Sequence, residues 1–204
     1  MDMVERTDLR SALSLPIQSE RIVLRELVLD DCTDRYVAWL QDTEVNQWLE
    51  TRWSQQDLSS VREFVARVTA DPNSALAAIV VRESQKHVGN IKIGPIDWVH
   101  KRAEISYFIG ERDVWGLGLA SEAIKLMTER ALGSLGLERV QASLYEPNLG
   151  SARALEKAGF ELEGTLRNAL HIGGGARANQ LIYGKLRPSA QSIEQGIDNV
   201  RRSI

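Results

Sequence analysis

The segment 113–123, with the sequence Asp-Val-Trp-Gly-Leu-Gly-Leu-Ala-Ser-Glu-Ala, has the residue types of an anion-binding turn. An alternating apolar run from Ala103 to Ile109 precedes it and predicts a strand, and the residues after it predict an amphipathic helix. Gly116 and Gly118 lack a Cβ atom, so an anion can approach the main chain closely. The unbonded N–H groups and the dipole at a helix start favour a phosphate. We therefore expect a phosphorylated cofactor here.

The glycines alone leave three interpretations open. An ordinary strand-to-helix turn needs no ligand. A dinucleotide site needs a third glycine where this chain has Ser121, although Glu146 ends the next predicted strand, where a ribose-binding acid is expected. A nucleotide-binding P-loop is excluded, because no Gly-Lys-Ser/Thr follows the turn.

A second segment, 146–160, decides between these interpretations. It reads Glu-Pro-Asn-Leu-Gly-Ser-Ala-Arg-Ala-Leu-Glu-Lys-Ala-Gly-Phe. Here the chain resembles the GNAT family of N-acetyltransferases: the segment is similar to that family's Asn-x-x-Ser/Ala…Glu-Lys-x-Gly-Phe signature, and the glycine turn is similar to its pyrophosphate loop. Residues 21–27 and the phrase Trp-Gly-x-Gly-x-Ala-x-Glu-Ala resemble the branch that acetylates the N-termini of ribosomal proteins, the Rim type. The resemblance covers about residues 20–187.

The resemblance implies a fold and a cofactor. The expected fold is α/β (α+β), with a mixed, mostly antiparallel sheet of six to seven strands, a splay between strands 4 and 5, and about four helices. The cofactor is acetyl-CoA as cosubstrate, with no metal. Asn148 and Ser151 would contact it from one side of the splay, and backbone groups of Phe108 and Ile109 would bind its pantetheine from the other. The pyrophosphate would be held by the main chain of Val114, Trp115, Gly116, Leu117, Gly118, Leu119 and Ala120.

Two positions depart from the family pattern. Asp113 stands where the pyrophosphate loop usually begins with Gln or Arg, so backbone groups must contribute more of the binding. Leu155 stands where many relatives have a tyrosine that protonates the departing thiolate. Ser151, at a helix start, is our first candidate to replace that tyrosine, and Tyr145 is the second.

Glu104 is our candidate for the general base. An alkylammonium has a pKa of about 10, so it must lose a proton before it attacks a thioester. Glu104 is a lone carboxylate in an otherwise apolar strand beside the expected acyl site. A solvated residue or an ion pair with Arg102 is the structural alternative, and His100 and His171 are rival bases. A backbone N–H group of the splayed strand would stabilise the oxyanion.

The acceptor is expected to be a primary amine, either a protein N-terminus or a small molecule such as an amino sugar. A non-catalytic acyl-CoA-binding regulatory module is the alternative of another class. Aromatic candidates for the acceptor site are Trp48, Trp53, Trp98 and Tyr36, which are also typical core residues. The loop 98–102 and the arginines Arg167 and Arg177 are candidates for contact with an anionic acceptor.

The elements that must position these residues alternate along the chain. Apolar runs predict strands over 21–27, 75–81, 88–93, 103–109, 140–145, 160–166 and 180–186. Helical spacing predicts helices after Asp31, over 55–69, from about 118 to 132, and over 151–158. We divide the chain into an N-terminal extension (1–20), an acetyltransferase domain (21–187) and a tail (188–204).

Composition excludes other classes. A net charge of −3 over 204 residues argues against a nucleic-acid partner, and no apolar run is long enough for a membrane helix. The single cysteine, Cys32, is interpreted as a buried side chain and fits a reducing cytoplasm. We expect a monomer or a homodimer.

Overall fold

The apolar runs of the sequence form one continuous sheet. The computed structural model describes residues 9–188, and their strands follow the spatial order β1-β2-β3-β4-β5-β6-β8-β7. Every neighbouring pair is antiparallel except β5 and β6, which are parallel. The strands are β1 (Ile17–Gln18), β2 (Ile22–Glu26), β3 (Ala75–Val81), β4 (His87–Ile93), β5 (Arg102–Ile109), β6 (Arg139–Tyr145), β7 (Glu161–Gly173) and β8 (Ala176–Leu186).

The helices lie on both faces of this sheet. Within residues 9–188 three of them begin at side-chain caps: Asp42 accepts a hydrogen bond from the Glu44 N–H, Asp57 from the Ser60 N–H, and Asn148 from the Ser151 N–H. Short 3-10 helices span Leu29–Asp31, Glu50–Trp53 and Arg112–Val114. The α-helices are α1 (Leu9–Leu13), α2 (Asp34–Gln41), α3 (Thr43–Asn46), α4 (Leu58–Ala70), α5 (Leu119–Gly133) and α6 (Leu149–Lys157).

The predicted fold class is confirmed, with more elements than expected. The sheet has eight strands instead of six to seven, because residues 17–18 add a strand at the edge of β2. Leu13 and Ile17, in the predicted N-terminal extension, are buried in the main core. The helix predicted after Asp31 is divided into α2 and α3, since Asp42 ends one and caps the other. The predicted tail from 189 onward lies outside the described residues.

The two faces of the sheet differ in chemistry. One face is apolar and packs against α5 and α6 in the main core, where side chains such as Ile105, Ile124 and Met127 are fully buried. The other face is apolar only under α2 and α4. Beyond those helices it carries polar side chains on β4, β5 and β6, namely Asn90, Lys92, Glu104, Ser106, Ser143 and Tyr145. A polar strip on a buried sheet face is typical of a binding site.

The central strands β5 and β6 separate along most of their length. They pair only at Arg102 with Arg139, Ala103 with Val140 and Glu104 with Gln141. From Ile105 onward β5 remains bonded to β4, while β6 remains bonded to β8. A V-shaped gap therefore opens in the middle of the sheet, and this is the splay that the family resemblance implied.

Peptide groups alternate in direction along β5. The Glu104 carbonyl accepts from the Gly94 N–H, and the Gly110 N–H donates to the Val88 carbonyl, so the even-numbered residues bond β4. The backbone groups of Ile105, Tyr107 and Ile109 consequently face the gap. No helix among residues 9–188 is long and apolar enough to cross a membrane.

Candidate active site

The glycine turn has the conformation that a phosphate site requires. Gly116 and Gly118 have φ values of 77° and 80°, in the left-handed region that glycine adopts without strain. Gly118 caps α5 without any side-chain hydrogen bond. The Arg21 guanidinium, which pairs with Glu122, donates to the Leu117 carbonyl at 2.8 Å and holds the turn in place. Among the described residues no acceptor binds the N–H groups of Gly116, Gly118, Leu119, Ala120 and Ser121.

Asp113 is turned away from these free N–H groups. Its carboxylate lies 3.1 Å from Lys86 Nζ, and its side chain is 65% exposed. Lys86 also pairs with Glu111, and the hydrogen bonds that it donates to these two carboxylates raise the lysine pKa. Because Asp113 has its own cation and is in solvent, the acid at this position does not conflict with anion binding at the turn.

The backbone groups that face the splay differ from the expected ones at one position. Phe108 was expected to offer backbone groups to pantetheine, but its peptide groups bond β4, because only every second residue of β5 faces the gap. The residues that face the gap beside this position are Tyr107 and Ile109. The Ile109 carbonyl accepts a hydrogen bond from Trp115 Nε1 at 2.9 Å, which connects the gap to the glycine turn.

Gly116→Ala is expected to weaken acetyl-CoA binding beyond the effect of its backbone strain. A Cβ atom at Gly116 meets no protein atom within 4 Å, so it would extend into open space beside the turn and hinder the close approach of a phosphate. We expect the acetyl-CoA Kd, measured by calorimetry, to rise about tenfold or more, which corresponds to ~1.4 kcal/mol.

Gly175→Ala is the matched control for this substitution. Gly175 has a φ of 79° and the same open surroundings, but it lies in the turn between β7 and β8. Both variants should lose about 1–2 kcal/mol of stability through left-handed strain. Equal acetyl-CoA affinity in the two variants would show that the turn does not hold the cofactor.

A cleft of about 890 Å³ lies over the polar strip, at the fork where β5 and β6 part. The opposite wall comes from α2, α4 and the segment between α3 and α4. Its lining includes part of the predicted site, namely Tyr36, Trp48, Glu104, Phe108, Tyr145, Asn148 and Ser151, together with Tyr107 and Leu155. The cleft therefore joins the splay on one side to a separate acceptor side on the other.

Glu104 lies at the fork itself, and its side chain is exposed to the cleft. Its Oε1 accepts a hydrogen bond from Ser143 Oγ at 2.9 Å, across the opening between the strands. The alternative ion pair with Arg102 does not form, because Arg102 pairs with Asp97 at 3.4 Å. Glu104 thus combines a fixed position with access to a substrate amine.

Ser151 has a partner that the sequence did not reveal. Its Oγ lies 2.6 Å from the Tyr107 hydroxyl, which also donates to the Ser151 carbonyl at 3.1 Å. Asn148 accepts from the Ser151 N–H at 3.1 Å, so this side chain is a helix cap. Burial raises the pKa of the Tyr107 phenol beyond its usual range, and Tyr107 therefore stays protonated. Leu155 is buried in the core behind this pair.

Tyr145 belongs to a different cluster, on the acceptor side. Its hydroxyl donates to Glu50 Oε1 at 2.5 Å, and its ring lies 5.7 Å from Trp48. The Arg52 guanidinium packs over the same ring at 4.8 Å. Burial and the Glu50 carboxylate raise the Tyr145 pKa. These contacts hold Tyr145 in the acceptor wall, and none of them is to the Ser151 pair.

The remaining candidates lie outside the lining of the cleft. His100 donates its backbone N–H to Asp97 in an exposed turn, and His171 packs edge-on against Trp53. Trp98 bonds Asn73, and Arg177 bonds backbone carbonyls within its own hairpin. Arg167 is exposed on β7 and is absent from the lining. The predicted surface of loop 98–102 is thus separate from the acceptor side.

The cleft is also lined by residues that the sequence did not predict. Tyr107 alternates with Ile105 and Ile109 along β5, and this pattern cannot show where the splay opens beside a hydroxyl. Glu50 begins a short 3-10 helix, in a part of the sequence without apolar periodicity. Lys92 and Arg67 are ordinary charges in the sequence, and only the fold places them over the same cleft.

The mixed sheet opens between two central strands, a helix start with free N–H groups lies at the gap, and a carboxylate lies at the fork. Together these features define an acyl-CoA-dependent transferase. Comparison with known families agrees: residues 21–161 match the acetyltransferase (GNAT) domain. The chain belongs to the GNAT family of N-acetyltransferases, and is an acyltransferase, as the sequence motifs predicted.

Individual relatives support the same assignment. The uncharacterised N-acetyltransferase p20 of Bacillus licheniformis is 30% identical over 156 residues, 74% of this chain and 85% of the relative. Two solved structures share the fold. Mycobacterium smegmatis RimJ, in complex with CoA-disulfide, is 18% identical with a TM-score of 0.69, covering 87% of this chain and 89% of its own. Vibrio cholerae spermidine N-acetyltransferase, in complex with CoA and spermine, is 16% identical with a TM-score of 0.72, covering 83% and 97%.

Proposed function

We propose that this enzyme transfers the acetyl group of acetyl-CoA to a primary amine by direct attack within a ternary complex. The observation that carries the proposal is the fork between β5 and β6. There a cleft-facing carboxylate, Glu104, meets a gap that leads back to the free N–H groups of the glycine turn. The pyrophosphate would lie on the turn, the pantetheine in the gap, and the thioester at the fork.

Glu104 would remove the proton from the incoming ammonium, directly or through a water molecule. The free amine then attacks the thioester carbon, and a C–N bond forms. Because the backbone groups of Tyr107 face the gap beyond the last β5–β6 pair, its N–H group is the candidate to stabilise the oxyanion. Among the described residues no cluster of His, Cys, Asp and Glu could hold a metal ion.

The Tyr107–Ser151 pair would act on the leaving sulfur. When the C–S bond breaks, its electron pair goes to sulfur. The attacking nitrogen still carries a second proton that it must lose to become an amide, and this proton can finally neutralise the thiolate. A thiol has a reference pKa of about 8.5. A tyrosine whose pKa is raised by burial does not give its proton fully to such a thiolate. The pair therefore stabilises the thiolate as a hydrogen-bond donor, which replaces the acid role expected of Ser151 alone.

Two observations bear on the class of acceptor. The similarity to the putative ribosomal N-acetyltransferase YdaF of Bacillus subtilis, which is 27% identical over 161 residues, supports the expected protein N-terminal amine. The enclosed acceptor side, walled by Trp48, Glu50 and α4, favours a small-molecule amine instead.

Cys32, buried and unpaired with another cysteine, is compatible with action in the cytoplasm.

A panel of amines with acetyl-CoA tests this function. We expect release of free CoA, detected with a thiol reagent, only when an acceptor amine is present. Peptides with free N-termini, amino sugars, polyamines and amino acids should be compared at equal concentration. Tight acetyl-CoA binding without turnover of any amine would instead support the alternative, a non-catalytic acyl-CoA-binding module.

A further inference from the structure

Two cations face the acceptor side of the cleft without carboxylate partners. Lys92, on β4, is half-buried, and Arg67 lies at the rim on α4. None of the ion pairs within residues 9–188 involves either side chain. A half-buried lysine that is left without a counter-ion costs stability unless a ligand supplies the charge.

The fold places both cations at the same end of the cleft. Ser60, Phe64 and Arg67 follow one another at helical spacing along α4 and all line the cleft. The Arg67 guanidinium lies 5.7 Å from the Phe64 ring, which holds it against this wall. Lys92 pairs with Leu76 on β3, another lining residue, and α4 leads into β3 through a short turn.

Asp71, whose pKa Lys92 influences, forms no ion pair with Lys92 among the described residues. Asp71, in the turn after α4, feels the charge of Lys92, which contributes to its lowered pKa. Its carboxylate, however, already accepts from Ser74 Oγ at 2.7 Å and from the Asn73 N–H at 2.9 Å. Lys92 therefore remains available to a ligand.

The Glu104 carboxylate lies on the same sheet face as Lys92, one diagonal position away. Lys92 pairs with Ser106 on β5, and Glu104 is two residues further along the same face. Diagonal neighbours in a sheet have Cα atoms roughly 7–8 Å apart. One small molecule can thus span Glu104 and Lys92. Glu50, bonded to Tyr145, adds a second acid on the Glu104 side.

From this arrangement we infer that the acceptor is zwitterionic: a primary amine that also carries a carboxylate or phosphate group. Its ammonium lies at Glu104 and its anion between Lys92 and Arg67. This inference rests on the proposed function and specifies its substrate class. Purely cationic amines should be poor acceptors, because Lys92 would repel them.

Matched acceptor pairs test the inference. ω-Amino carboxylates of increasing chain length are compared with the corresponding ω-amino amides, and phosphoethanolamine with ethanolamine, by CoA release. We expect the wild-type enzyme to prefer the anionic member of each pair in kcat/KM. In Lys92→Met this preference should fall about tenfold, and in Arg67→Met about threefold, because Arg67 is more exposed. Lys92→Arg should retain the preference.

Arg62→Met is the control on the same helix, since Arg62 is exposed but does not line the cleft. It should leave the preference unchanged. Turnover without preference for the anionic member, or an unchanged preference in Lys92→Met, would overturn the inference while the acetyltransferase function stands. No turnover of either series, while another amine of the wider panel is acetylated, would likewise overturn the inference alone. No turnover of any amine, with acetyl-CoA bound, would overturn the function and with it the inference.

Discussion

Glu104→Gln is expected to lower kcat/KM for the acceptor amine about 10²- to 10⁴-fold near neutral pH, the usual contribution of a general base. Glutamine keeps the shape and can still accept from Ser143 Oγ, so the fork should retain its geometry. The acetyl-CoA Kd should stay within about twofold of the wild-type value. Steady-state kinetics with saturating acetyl-CoA, together with calorimetry, separate these two quantities.

The pH profile distinguishes a base from a structural residue. An alkyl amine has a pKa of about 10, so the fraction that needs no base rises steeply above neutral pH. The defect of Glu104→Gln should therefore shrink as the pH rises, whereas a misfolded site would not recover. Glu83→Gln, an exposed acid in the turn between β3 and β4, should behave as wild type. If Glu104→Gln keeps the wild-type rate at neutral pH, Glu50 becomes the candidate base.

Tyr107→Phe and Ser151→Ala are each expected to lower kcat about 10- to 100-fold, because each removes a hydrogen-bond donor at the leaving sulfur. The two hydroxyls lie 2.6 Å apart and act as one unit. The double variant should therefore be little slower than the worse single variant, which differs from the product of two independent effects. Stopped-flow measurement of CoA release gives the rates.

The alkaline side of the pH profile tests the state of the phenol. Burial raises the Tyr107 pKa, so the donor stays protonated as the pH rises through the usual range of tyrosine. Wild-type activity should not decline between pH 8 and about 10 on its account. Tyr183→Phe is the control, because it removes a buried phenol that bonds Glu156 away from the cleft. Equal losses of kcat in Tyr107→Phe and Tyr183→Phe would contradict the role of Tyr107.

Local patterns predicted most of the fold because each predicted element has a physical signature in the chain. The continuous apolar run at 75–81 became a strand covered on both faces, and Gly118 began α5 as the turn predicted. Strand β1 was missed since a pair of residues has no periodicity; only its contact with β2 defines it. The splay itself followed from the family resemblance, because no local pattern records a hydrogen bond that is not made.

The site was predicted unevenly for the same reason. The glycine turn and the Asn148–Ser151 helix start are local and could be located from spacing. Glu104 stood out as a charge within an apolar strand. The partner of Ser151, in contrast, comes from β5, 44 residues earlier. Phe108 was predicted to offer backbone groups at the gap, where the structure places those of Tyr107. Alternation predicts which side chains face the core, but not which peptide groups lack a neighbouring strand.

The three-pair junction between β5 and β6 makes the sheet two half-sheets that are joined at one end. A bound pantetheine chain would fill the gap as a substitute strand, so the cofactor becomes part of the architecture. Mass action then links folding to metabolism: at a cofactor concentration of 100 times its Kd, the folded state gains ~2.7 kcal/mol. The abundance of intact enzyme in a cell would rise and fall with the supply of acetyl-CoA, independently of its rate of synthesis.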